Sequence, residues 1–226
     1  MLARRVLSLI AIFFVAQGWP AAPVRAALYG FTPVSFDASA ATNAVAAQLS
    51  LDVTGSGSHV FFTFSNSGSV PSTVTGTYFD DGAGVLDSLL TPINGPGVSF
   101  RLDGSPANLS APMAPYHFDA DFWATAKAPS GLGKKGVDNT GEFVTIPFTL
   151  ENEKSFTDVL AALDAGLADP TSTIGTLRVG IRVQSIGTAC QSEAFLLTPV
   201  HAPLPGAVLL GLLGLGAAGL KMRWLA

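Results

Sequence analysis

Hydrophobic and polar residues alternate with a period of two along several short stretches between residues 49 and 183. Gly, Ser and Pro residues separate these stretches. Such alternation is typical of β-strands with one buried face. The apolar residues that share a predicted face are Leu49, Leu51 and Val53; Val60, Phe62 and Phe64; Val74 and Tyr78; Val98, Phe100 and Leu102; Phe118, Ala120 and Phe122; and Leu177, Val179, Ile181 and Val183.

Two further stretches complete the predicted elements. Residues 143–150 form a strong apolar run that contains Pro147. Because proline has no N–H for a sheet hydrogen bond, we predict a strand that lies at a sheet edge or has a bulge. Ser155 and Asp158 have the spacing of a helix capping box, and the apolar residues after them have helical spacing. We therefore predict one helix, which ends at Gly166.

These elements predict a mainly β protein. Several short strands with turns between them and a single helix favour one β-sandwich with a jelly-roll-like layout, over residues 27–200. An open β-barrel is the alternative. No repeat of fixed period is visible, which disfavours a propeller or a solenoid. An N-terminal signal helix and a C-terminal transmembrane-like helix are expected to flank this domain.

The first 26 residues have the layout of a secretory signal peptide. Arg4 and Arg5 precede the apolar run 6–16, which is too short to span a bilayer, and small residues follow. We predict cleavage after Ala26, with Ala22 as the alternative position. An uncleaved N-terminal anchor is the other interpretation. The protein is therefore expected to be exported through the inner membrane, and a signal peptidase is the partner expected to remove this segment.

Residues 201–226 form a tail of three parts. A short proline motif comes first, the uncharged and glycine-rich run 204–220 follows, and Lys221 and Arg223 form a basic tip. The run is slightly shorter than the ~20 residues of a membrane-spanning helix. Basic residues tend to stay on the cytoplasmic side. The tail is thus expected to insert transiently in the membrane, and a plain tail anchor is the alternative.

This tail resembles the PEP-CTERM sorting signal, in the variant that starts with Val-Pro-Leu-Pro. The motif is formed here by Pro203, Leu204, Pro205 and Gly206, while Ala202 stands in place of the usual Val. The basic tip has two basic residues instead of an Arg cluster. The resemblance implies that an exosortase-type membrane transpeptidase recognises the tail and cuts near the motif. It also implies a protein of the envelope or the exopolysaccharide matrix of a Gram-negative bacterium.

Short sequence segments between the two ends of the chain are also similar to a secreted β domain that recurs ahead of such tails. They include residues 57–68 and 78–82, and the runs 156–163 and 177–185. This resemblance implies secretion and assigns no activity.

Charge excludes some classes of partner. The chain has only 12% charged residues. Five of its 12 basic residues lie in the two ends, and all 16 acidic residues lie between them. Residues 27–200 therefore have a formal charge of −9, which argues against a nucleic-acid partner. Cys190 is the only cysteine, so an intrachain disulfide cannot form. We expect a small buried residue there, and a catalytic thiol is the alternative.

The sequence contains few candidates for chemistry. Its three histidines lie on separate elements, and no zinc, nucleophile-elbow, phosphate-loop or dinucleotide motif is present. We therefore predict no catalytic residue, no metal site and no cofactor. The sequence Asp80-Asp81-Gly82 and the pair Asp119 and Asp121 could offer oxygen ligands to Ca²⁺. A polar turn and a solvent-facing strand are the favoured interpretations of these carboxylates.

One group of side chains is a candidate sugar-binding surface. Tyr116 and Trp123 could stack on a sugar ring, and Asp119 and Asp121 could accept hydrogen bonds from its hydroxyls. Packing of Trp123 in the core is the favoured alternative. The sequence thus predicts an exported surface or matrix protein without catalytic activity. A carbohydrate-binding module is the main alternative, and a secreted hydrolase that uses His59 or His117 is the lesser one.

Overall fold

The computed structural model describes residues 28–35, 38–109, 118–127 and 135–199. Over these residues the protein is mainly β, as predicted. The predicted signal helix, the cleavage position at Ala26 and the whole tail with its motif lie outside the described residues. The elements are β1 (Leu28–Pro33), α1 (Ala40–Ala46), β2 (Leu49–Ser56), β3 (His59–Asn66), β4 (Thr73–Asp81), β5 (Leu86–Leu89), β6 (Ile93–Asn94), β7 (Phe100–Leu102), β8 (Phe122–Ala126), β9 (Phe143–Leu150), α2 (Phe156–Ala168), β10 (Leu177–Ile186) and β11 (Gln191–Pro199).

All eleven strands belong to one antiparallel sheet. Its strand order is β5-β9-β3-β2-β1-β11-β10-β4-β8-β7, and β6 also pairs with β9. The sandwich prediction is therefore confirmed only in its coarser part, because the described strands form one sheet and not two. This sheet is nearly closed. Its two halves pack face to face, since the rings of Phe62 on β3 and Phe79 on β4 lie 5.0 Å apart although these strands are not neighbours.

The main core fills the space between the two halves. The predicted inward faces of β2, β3 and β10 are confirmed, because their apolar residues are all buried. Phe79 and Phe148 form the closest aromatic contact, with ring centroids 4.8 Å apart and an edge-to-face geometry. Edge-to-face pairs of this kind add stability beyond the area they bury.

β4 differs from the predicted alternation because both of its faces are buried. Thr75 is one extra residue relative to β10, since Arg182 is opposite Gly76 and the next residue, Val183, is opposite Val74. This bulge puts Val74 on the same side as Phe79, in the main core. Tyr78 lies on the other side, in a second apolar cluster. The predicted grouping of Val74 with Tyr78 is therefore wrong.

The second cluster covers the outer face of β4 and β11. Its buried members are Val34, Tyr78, Leu109, Phe118, Ala194 and Leu196. Phe118 was expected on one face of a strand with Phe122, which is wrong. β8 begins only at Phe122, and that side chain packs against the main core instead.

Pro147 lies inside β9, which has partners on both sides. It is opposite Phe61 of β3, and its carbonyl accepts a 2.9 Å hydrogen bond from the N–H of Leu90. Leu90 lies between β5 and β6, where the pairing along β9 is interrupted. The missing N–H of proline therefore faces this interruption, and the strand tolerates the residue without lying at the outer edge.

The described residues contain two helices, whereas one was predicted. The capping box of Ser155 and Asp158 begins α2 as expected. The helix ends at Ala168 and not at Gly166 as expected. Gly166 lies against β10, where a Cβ would come within 2.8 Å of the Leu177 carbonyl oxygen, so this glycine allows close packing and does not end the helix. The short helix α1 was missed because only Thr42 and Val45 are buried in it. Neither helix is long and apolar enough to cross a membrane.

Candidate functional site

Most of the carboxylates noted in the sequence lie together at the end of β4. Asp80 and Arg178, opposite each other on β4 and β10, form an ion pair with residue exposures of only 5% and 4%. The same Asp80 oxygen, Oδ2, also accepts a 2.9 Å hydrogen bond from the N–H of Asp119. Arg178 donates to the Pro170 carbonyl at 3.0 Å, and its guanidinium lies 5.5 Å from the centre of the Phe118 ring. Asp80 is therefore part of a buried ion pair and not of a polar turn.

The neighbouring carboxylates bind backbone N–H groups. Asp81 accepts hydrogen bonds from Val85 and Leu86 at 3.2 and 2.7 Å, and Asp121 accepts one from the N–H of Asp81 at 2.8 Å. Burial raises the pKa of Asp81, and these backbone bonds partly oppose the shift. Among the described residues, no three His, Cys, Asp or Glu side chains are grouped to hold a metal ion. These hydrogen bonds from backbone N–H groups to Asp81 and Asp121 stabilise the turn after β4.

Trp123 lies beside this corner and is half-buried. Its indole N–H donates a 2.8 Å hydrogen bond to the Gly104 carbonyl, and its ring packs against the second apolar cluster. Opposite it on β4, Tyr78 donates to the Pro106 carbonyl at 3.2 Å, and burial raises the pKa of Tyr78 to about 12. Trp123 and Tyr78 therefore hold residues 104–106 against the sheet.

The candidate sugar-binding surface is thus only partly assembled in the described residues. Trp123, Asp119 and Asp121 lie in one corner, and the two carboxylates are exposed. Tyr116 and His117 lie outside the described residues. His59 is at the start of β3, and its ring stacks on Phe61 with a centroid distance of 6.4 Å. The surface remains a prediction.

An open cleft, which the sequence did not predict, lies at another end of the sheet. Its volume is about 510 Å³. Three separate segments line it: residues 68–73 between β3 and β4, the pair Asp138 and Asn139, and the turn between β10 and β11 with Ser185, Gly187 and Cys190. We call it the polar cleft, because side-chain hydroxyl, amide and carboxyl groups line it. Small-molecule sites are typically concave and mostly apolar, with a few polar groups that fix the ligand, and this cleft has both apolar and polar residues in its walls.

A buried polar network fixes one wall of the polar cleft. The Gln48 side-chain amide donates to Asn66, to the Val70 carbonyl and to Ser72, at 2.8, 2.8 and 2.9 Å. Asn66 donates in turn to the Ser72 carbonyl at 3.0 Å, and its Oδ1 receives the bond from Gln48. These bonds hold the segment between β3 and β4 in one conformation. A site on such a wall loses little freedom when it binds a ligand.

The wall formed by residues 138–142 holds two interacting carboxyl groups. Glu142 accepts hydrogen bonds from the N–H groups of Asp138 and Asn139 at 3.0 and 3.2 Å. Burial and the neighbouring Glu142 raise the pKa of Asp138 to about 6. Burial alone would raise the pKa of Glu142, but hydrogen bonds from residues 138 and 139 outweigh it, so the pKa of Glu142 is lowered. The pair thus tends to hold one proton in weakly acidic solution.

Cys190 is exposed at the rim of the polar cleft, so the expectation of a buried cysteine is wrong. It lies in the turn after β10 with a φ angle of 52°, and Ser185, near the end of β10, has a φ angle of 58°. Residues other than glycine adopt this left-handed backbone at a cost of about 1–2 kcal/mol. Strained residues of this kind cluster at functional sites.

The polar cleft could not be found from local sequence patterns. Its walls come from three segments that lie far apart in the chain, and each of them looks like an ordinary polar turn. The only local indication is the pair of carboxyl groups at Asp138 and Glu142. Comparison with protein-family models, with curated proteins and with solved structures finds no match for this chain.

Proposed function

We propose that this protein is exported across the inner membrane and sorted through its C-terminal tail, and that it acts at the cell surface or in the exopolysaccharide matrix without catalytic activity of its own. The observation that carries the proposal is the order of three features after β11. The proline motif at residues 203–206 comes first, the uncharged apolar run follows, and Lys221 and Arg223 come last. A signal peptidase and an exosortase-type transpeptidase are the partners that this layout requires.

The positions of the two terminal strands support this proposal. β1 and β11 pair in antiparallel fashion, and Tyr29 lies opposite Pro199. Paired residues of this kind have Cα atoms about 5 Å apart. The segments before and after the domain therefore join it at the same place. Before processing, both would attach the domain to one membrane from one point.

The composition of the core is a second support. The main core is assembled from side chains between Tyr29 and Phe195, taken from strands and helices throughout the domain. Cleavage after Ala26 would leave β1 complete, since that strand begins at Leu28. Cleavage near Pro203 would leave β11 complete. Removal of both ends is thus compatible with an intact sheet.

The test is the mass of the mature protein from cells that produce the full chain together with an exosortase-type transpeptidase. We expect a chain that begins at Ala27 and ends near the proline motif. The double variant Pro203→Ala, Pro205→Ala should keep the tail, while Pro96→Ala on the exposed surface of the domain should be processed normally. A mature wild-type chain that retains Trp224, Leu225 and Ala226 would contradict the proposal.

A further inference from the structure

The polar cleft contains chemistry that selects among ligand classes. The side chains that line it supply hydroxyl groups from Ser69, Ser72, Thr73 and Ser185, the amide of Asn139 and the carboxyl of Asp138. Among the residues that the structure describes, no Lys or Arg lines the cleft, and these are the side chains that bind phosphate and carboxylate groups most strongly. Asp138 and the adjacent Glu142 would repel such anions. An anionic ligand is therefore disfavoured.

A metal ion or a flat aromatic ligand fits no better. The oxygens of Asp138 and Glu142 already accept hydrogen bonds from Thr73, Asn139 and the backbone. Ca²⁺ needs six to eight oxygen ligands, and the described residues offer no group of three acidic, His or Cys side chains. The described part of the chain places no aromatic residue at the polar cleft, so a flat ring would find no stacking partner among these residues.

Hydroxyl and amide groups can both donate and accept hydrogen bonds, and the carboxyl can accept them. A ligand with many hydroxyl groups has the matching pattern. We propose that the polar cleft binds a neutral, polyhydroxylated small molecule such as a short neutral saccharide, held by hydrogen bonds to Ser69, Asn139 and Ser185. The volume of about 510 Å³ is in the range of small-molecule sites. This site is separate from the corner that contains Trp123, and it does not depend on the processing of the tail.

The rigidity of the walls favours such a ligand. Neutral hydroxyl contacts are individually weak. They give measurable affinity only when the protein groups are held in place before binding. The hydrogen-bond network of Gln48, Asn66 and Ser72 holds the groups of one wall in place. On the other side, the N–H of Gly187 donates a 2.9 Å hydrogen bond to the Pro71 carbonyl and ties two walls together.

Cys190 gives a direct test, because it is the only cysteine of the chain and lies exposed on the rim. The rate of its alkylation by iodoacetamide is measured on the full chain, in a detergent without a sugar headgroup. Maltose, cellobiose and sucrose are the probes. A probe present at ten times its Kd leaves about one site in eleven free. We therefore expect alkylation to slow by about tenfold with at least one of the three disaccharides.

Two comparisons decide whether this protection reports the proposed site. Ser69 is exposed on the rim, so Ser69→Trp should fill the polar cleft without affecting the core, and protection should be lost. Ser58→Trp, at the exposed turn at the other end of β3, should keep it. The proposal is overturned if no disaccharide slows alkylation, if Ser69→Trp is protected as well as the wild type, or if glucose 6-phosphate protects better than glucose.

Discussion

The substitution Asp80→Asn removes one charge of the buried ion pair and leaves the other. Arg178 would keep its hydrogen bond to the Pro170 carbonyl and its contact with the Phe118 ring, but its positive charge would lose the carboxylate. Both residues are at most 5% exposed, so water cannot replace the missing charge. Breaking a buried pair from one side costs about 3–5 kcal/mol. We expect a loss of this size in the free energy of unfolding.

The assay is equilibrium unfolding of the purified protein in urea. With a slope of about 2 kcal/mol per molar urea, a loss of 4 kcal/mol lowers the midpoint by about 2 M. Asp164→Asn, the same change on the exposed face of α2, is the matched control and should shift stability by less than about 0.5 kcal/mol.

A double substitution then separates the charge effect from the rest. Asp80→Asn with Arg178→Met removes both charges, so it should be less destabilising than the sum of the two single changes by about 2 kcal/mol or more. A loss below about 1 kcal/mol for Asp80→Asn alone would refute the reasoning. It would mean that water reaches the guanidinium in the folded state.

Three further substitutions test other contacts of the domain. Gly166→Ala improves helix propensity by about 1 kcal/mol but forces α2 away from the Leu177 carbonyl. We therefore expect a lower urea midpoint of unfolding, and a higher midpoint would contradict the close approach. Trp123→Phe keeps an aromatic ring but removes the indole N–H, so the Gly104 carbonyl loses its donor, at a cost of about 1–3 kcal/mol and with faster proteolysis of residues 102–109; unchanged proteolysis would count against this role. The pKa of Asp138 rises from 3.8 to about 6 on folding, so this carboxyl makes the protein less stable as pH rises through that window. In thermal melts, the stability of Asp138→Asn relative to wild type should therefore increase between pH 4 and pH 7. A difference in stability that stays constant with pH would contradict the shift.

The strand pattern and the start of α2 were predictable because they depend on local spacing. The faces of β2, β3 and β10 follow from the alternation of residues such as Phe62 and Val179, and the capping box needs only Ser155 and Asp158. The bulge at Thr75 was not predictable, because it depends on the register against β10 and changes the side on which Val74 lies. The spacing of residues within one strand carries no information about which strand pairs with it or in which register.

The candidate sites show the same limit. The corner with Asp119, Asp121 and Trp123 was noted from residue types, but the buried partner of Asp80 could not be inferred, because Arg178 lies almost a hundred positions away and was part of an ordinary alternating stripe. The polar cleft needs three distant segments to meet, and the sequence gives no sign of that meeting. Residue chemistry was predictable, whereas its placement depends on long-range packing.

The pairing of β1 with β11 has a consequence for the time course of folding. One half of the sheet contains β2, β3, β5, β6 and β9, the other contains β4, β7, β8 and β10, and in the strand order of the described residues β1 and β11 lie between them. During synthesis from the N-terminus, β1 is therefore without its main partner until β11 has been made. Such long-range closure is slow compared with local hairpin formation. The sheet thus reaches its final strand order only after the last strand is available.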